Sequence, residues 1–109
     1  MPMDVEEVDA FVAGLDGCRR RRADGRTGWY VDGLLVVRPD APGTILVRVD
    51  SAQREQLLAR HPETFGVPPK WEAHEKVQAT LDGDADAIRE AITMAWERQR
   101  TARAEEERP

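Results

Sequence analysis

The chain has 109 residues, is 40% hydrophobic and 34% charged, and carries a formal net charge of −5. This is the size of one domain with one modest core, and its periodic apolar residues exclude a disordered chain. With no apolar run near the roughly 20 residues of a membrane span, an acidic N-terminus unlike a secretory signal and Cys18 as the single cysteine, the expectation is a soluble, cytoplasmic, single-domain protein without an internal disulfide.

Residues 4–15 read as an amphipathic helix. Val5, Val8, Phe11, Val12 and Leu15 fall on one helical face. Asp4 is placed to cap it, Glu6 and Glu7 suit the first turn, and Asp16 with Gly17 ends it.

Residues 18–23 are ambiguous. Arg19, Arg20, Arg21 and Arg22 are consecutive, so no apolar alternation is visible. If they form a strand, it is an exposed edge strand whose charges discourage pairing with other chains. Asp24 and Gly25 then make a turn.

Residues 28–49 are the clearest β region. Asp32 and Gly33 separate two apolar runs, which is a hairpin signal. A second turn over residues 39–43 leads to a strand in which Ile45, Val47 and Val49 share the core-facing side. A second helix spans residues 51–61, with Asp50 or Ser51 as cap, a capping-box spacing from Asp50 to Gln53, and a buried stripe of Leu57 and Leu58. Pro62 stops it. Residues 62–69 read as a surface loop pinned by Phe65 and Val67.

Residues 70–73 suggest a short strand. Residues 76–81 alternate cleanly, with Val77, Ala79 and Leu81 on one side. Asp82 and Gly83 turn, Asp84 caps the third helix, and Ile88, Ala91, Ile92, Ala95 and Trp96 line its core face. The apolar stripe ends at Gln99, so residues 101–109 are expected to fray or be disordered. The resulting class is α+β, a two-layer domain over residues 1–100 with helices on one face of an antiparallel sheet. The order is α-β-β-β-α-β-β-α, with a fourth early strand if the arginines pair.

These segments resemble the MmcQ/YjbR family of DNA-binding-like proteins. The likeness covers roughly residues 4–100 and rests on the order of the pieces. They are the opening helix, the hairpin at residues 29–36 (WYVDGLLV), the loop at residues 60–71 (RHPETFGVPPKW), and the closing strand and helix. Leu34 stands where members often have a basic residue. The resemblance implies a fold similar to type III secretion chaperones and a DNA-binding role. It carries over no catalytic residue.

Two segments are candidate nucleic-acid contacts. Residues 19–26 hold five arginines (Arg19, Arg20, Arg21, Arg22, Arg26) against Asp24. Arginine binds phosphate through charge and planar forked donors. Trp29 and Tyr30 lie close enough in sequence to stack on a base. The alternative is a solvated strand whose arginines pair with the acidic first helix. Lys70 and Trp71, stiffened by Pro68 and Pro69, form the second candidate. There the alternative is that Trp71 covers the core edge.

Other chemistry has less behind it. His61 and His74, with Glu72 and Glu75, do not make a compact ligand set, so no metal is expected. Neighbouring arginines can lower a thiol pKa, but Cys18 lacks a partnered base and reads as a small apolar residue. Ser51 reads as a helix cap. No nucleophile–base or acid–base constellation stands out, so neither catalysis nor a cofactor is expected.

Two functions remain. One is a DNA-binding module using Arg19, Arg20, Arg21, Arg22, Arg26, Trp29, Lys70 and Trp71. The other is a protein-interaction or chaperone-like module. It would bind a partner or a second copy through an apolar sheet face near Trp29, Tyr30 and Leu46.

Overall fold

A computed structural model describes residues 3–106 of the chain. Helix α1 (Val5–Ala13) opens at Asp4, whose carboxylate accepts from the Glu7 amide at 2.8 Å. That bond satisfies one of the amides a helix start leaves without a backbone acceptor.

Four strands follow: β1 (Cys18–Ala23), β2 (Arg26–Val31), β3 (Leu34–Pro39) and β4 (Thr44–Val47). Their two tight turns are the expected Asp-Gly pairs. Asp24 and Gly25 have φ of +52° and +75°, Asp32 and Gly33 of +52° and +82°. Two successive left-handed residues match the twist of a two-residue hairpin. The arginine run therefore does pair. It joins β2 in register from Cys18↔Val31 to Ala23↔Arg26 and is the added strand.

Helix α2 (Ser51–Arg60) carries the expected capping box. Asp50 accepts from the Gln53 amide at 2.7 Å, and the Gln53 side chain accepts from the Asp50 amide at 3.0 Å. Strand β5 (Phe65–Gly66), a 3-10 turn (Pro69–Trp71), strand β6 (Val77–Thr80) and helix α3 (Ala85–Glu106) complete the chain. Asp84 caps α3, accepting from the Asp86 and Ala87 amides at 2.9 and 3.2 Å.

Three expectations change here. Residues 70–73 are not a strand, because Pro69 begins the 3-10 turn, where its fixed φ fits and its missing N–H costs nothing. The short strand forms earlier, inside the expected loop. Pairing Phe65 with Ala79 sinks Phe65 to 4% exposure, and that burial outweighs the turn preference of the flanking prolines. Helix α3 also runs past Gln99 to Glu106, since its Arg, Ala and Glu residues favour helix without an apolar stripe. Residues 107–109 of the expected frayed tail lie outside the described residues.

The class is α+β, with all strand pairs antiparallel in one sheet of order β1-β2-β3-β4-β6-β5. Because side chains alternate across a sheet, the register sorts its residues into two faces. The inner face carries Cys18, Trp29, Val31, Val37, Ile45, Val47, Val77 and Ala79. They share one core cluster with Val8 and Val12 of α1, Leu57 of α2, and Ile88, Ala91, Ile92 and Ala95 of α3. A bulge between Trp29 and Tyr30 lets Trp29 pair with Val37 while Tyr30 pairs with Leu35. It keeps Val36 and Val37 both buried. Beside the bulge, Gln99 of α3 donates to the Leu35 carbonyl at 2.6 Å.

Candidate anion-binding face

The other sheet face carries the charge. Arg19 pairs with Tyr30 and Arg21 with Gly28, which places both arginines with Tyr30 on the open side. Arg26, Leu35, Arg38, Leu46 and Gln78 follow by register, and the same alternation carries Arg48 and Lys76 there. Leu46 is fully buried on this side, apart from the helix-side cluster.

Trp71 is the centre of the arrangement. The chain's two lysines both lie over its ring, Lys76 Nζ at 4.6 Å and Lys70 Nζ at 5.2 Å from the centroid, with Arg38 Cζ at 5.4 Å. His74 meets the ring edge-on at 5.4 Å. The quadrupole of an indole face holds such cations. An open cleft of about 490 Å³ lies between Arg26, Arg38, Pro39, Asp40, Lys70 and Trp71. A neighbouring cleft shares Arg26, Arg38 and Trp71 and extends to Asp24, Tyr30, Leu35 and Lys76.

Asp40 is the carboxylate inside this group. It lies 4.0 Å from both Arg38 Nη1 and Lys70 Nζ and accepts from Gln78 Nε2 at 3.3 Å. Asp24 lines the neighbouring cleft, and these two carboxylates cannot neutralise Arg26, Arg38, Arg48, Lys70 and Lys76. The Lys76 amine registers the imbalance. Its pKa is lowered first by partial burial and then by Arg38 and Arg48, with Asp40 opposing. Among the described residues, Arg48 Nε and Trp71 Nε1 are buried with no hydrogen-bond partner. An excess of cations on one open surface is the arrangement an anion would complete.

The loop that brings Trp71 and Lys76 here is held from the helices. Arg54 of α2 donates to the His74 carbonyl at 2.8 Å and to those of Lys76 and Glu72 at 3.4 Å. Arg98 of α3 pairs with Glu75.

Of the residues expected at a nucleic-acid site, Arg19, Arg21, Arg26, Lys70 and Trp71 reach this face. Arg20 and Arg22 do not, since they pair with Trp29 and Thr27 and so point to the helix side. Arg20 Nη1 lies 3.7 Å from Asp9 Oδ2 of α1, the predicted alternative for that one arginine. Trp29 cannot stack on a base. It is 2% exposed on the core side and donates its Nε1–H to Asp9 at 2.7 Å. The aromatic on the open face is its neighbour Tyr30.

Sequence reading missed Arg38, Arg48 and Lys76. Their signal was present, because each directly adjoins a core valine in a strand and must therefore point to the opposite face. The apolar sheet patch expected for a protein partner is not formed near Trp29, Tyr30 and Leu46. Trp29 and Leu46 are buried, and Val5 on α1 is the one large hydrophobic that is exposed among the described residues.

The Cys18 thiol is pushed up to about 11 by burial, against a smaller effect of the Arg19 amide, so it is protonated at neutral pH. His61 sits at the α2 terminus, edge-on to Phe65 at 6.1 Å, and no group of three side chains that could hold a metal is found among the described residues. No described helix is long and apolar enough to cross a membrane. Comparison with family models, with curated proteins and with solved structures found no match.

Proposed function

We propose that the chain is a cytoplasmic DNA-binding module of the MmcQ/YjbR type, binding by charge and shape without catalysis. The observation that carries this reading is the cation cluster around Trp71. Arg26, Arg38, Arg48, Lys70 and Lys76 outnumber the acids Asp40 and Asp24 on a sheet side that no helix covers among the described residues. Keeping like charges together in a folded chain is unfavourable, and a polyanion relieves it while releasing its own counterions. The α+β order agrees with the one the family resemblance implies, with the arginine strand added at the edge.

The test is titration of a labelled DNA duplex at low salt with two double variants. Arg26→Glu with Lys70→Glu reverses exposed charges at the cleft and should abolish binding. Arg20→Glu with Arg22→Glu reverses charges on the helix side and should retain most of it. Equal loss in both pairs would mean that overall charge, rather than this face, governs binding. No binding of the unaltered chain would refute the proposal.

A further inference from the structure

The open face shows which part of a nucleic acid it is built to take. We infer that it grips the sugar–phosphate backbone of a duplex and stacks no base, an inference that rests on the DNA-binding reading above.

Proteins that hold single strands offer bare aromatic faces to successive bases. Both aromatics here are already engaged. Trp71 has Lys70, Lys76 and Arg38 over its ring and His74 at its edge. Tyr30 has Arg21 Cζ over its ring at 5.2 Å. Tyr30 is also seated closely on the sheet, because a Cβ on Gly28 would stand 3.1 Å from both Tyr30 Cε1 and Leu35 Cδ1. A base stacking on either ring would have to displace a cation that itself serves as a phosphate contact. The aromatics therefore position the cations, and the cations are left to meet the ligand.

The placement of the cations points the same way. By backbone they run from Arg19 and Arg21 on β1 to Lys76 beside β6, with the Lys76 side chain over Trp71 in a cleft it shares with Arg26 and Arg38. Cations fixed on one surface suit a duplex, whose phosphates are held in a fixed array. A rigid sheet matches a rigid array with little ordering cost, whereas a flexible strand must be ordered to fit it.

The experiment compares a short DNA duplex with each of its separated strands across a salt series, reading anisotropy and tryptophan emission together. The duplex should bind about tenfold tighter than either strand, with little quenching of emission. Neutralising the exposed Lys70 (Lys70→Gln) or Arg21 (Arg21→Gln) should lower the slope of log affinity against log salt by about one each. Neither change touches the core. Tighter binding of a single strand, with quenching that disappears in Trp71→Leu, would overturn the inference and leave the DNA-binding reading intact. If neither form binds at low salt, that reading fails and the inference goes with it.

Discussion

Lys76 is the residue at which the cation cluster can be interrogated directly. Its free amine is held below the ordinary lysine value of 10.5, by burial first and then by Arg38 and Arg48. The unfolded chain therefore holds this proton more tightly than the folded one. Stability from this group rises as pH increases from the lowered value toward 10.5, because the folded protein sheds the strained charge first. Polyanion binding has the opposite sign. A phosphate beside the amine raises its pKa again, so binding takes up a proton and weakens as pH rises through the same window. Lys76→Arg should keep neutral-pH affinity within a few-fold and flatten both trends, measured by urea melts and duplex titrations over an alkaline pH series. Parallel trends in the two measurements would rule out a phosphate contact at Lys76. Trp29 and Tyr30 carry a different lesson at this scale. The two neighbours are equally aromatic in sequence, yet strand alternation sends one into the core and the other to the open face.

Among the elements, the loop over residues 72–76 decides whether the site exists. It has no regular structure of its own, and its carbonyls are gathered by Arg54 from α2. Arg54 is a positioning residue for Trp71 and Lys76. Arg54→Ala should cost about 1–3 kcal/mol of stability, the range for hydrogen bonds from a charged donor that leave partly buried acceptors unpaired. It should also weaken duplex binding several-fold with the salt slope unchanged, because no phosphate contact is deleted. Faster amide exchange confined to residues 72–76 would accompany it. A reduced slope in this variant would place Arg54 on the ligand instead. The capped helices and both Asp-Gly hairpins were legible from local spacing, since their signals are complete within four residues. Strand β5 was not legible, because two residues become a strand only through partners a dozen or more positions away.

For the whole molecule, the acids at the start of α1 and the cation cluster lie on different faces, while Arg20 and Arg22 stand on the helix side with those acids. The acids of α1, Glu6 and Glu7, are exposed on a helix of the helical layer, while the cation cluster lies across the sheet. The molecule measures 42 × 28 × 25 Å, so these groups act on each other across more than the Debye length of about 8 Å at physiological salt. Glu6→Gln with Glu7→Gln should raise the duplex association rate at low salt, and the gain should vanish near physiological ionic strength. Stopped-flow rates over a salt series would check this. A gain that persists at high salt would mean the α1 acids lie near the bound duplex.

The amino-acid sequence by itself determined the class, most element positions and the core stripe, because helical and strand periodicities and capping residues act over a few positions. It also located the excess of arginine. It did not determine what that charge faces. Arg19 and Arg21 join Arg26, Arg38, Lys70 and Lys76 only when four strand pairings lay them across one surface, and the same pairings turn Arg20 and Arg22 away. Charge clustering is a sum over residues distant in sequence, so the tertiary structure alone could decide it.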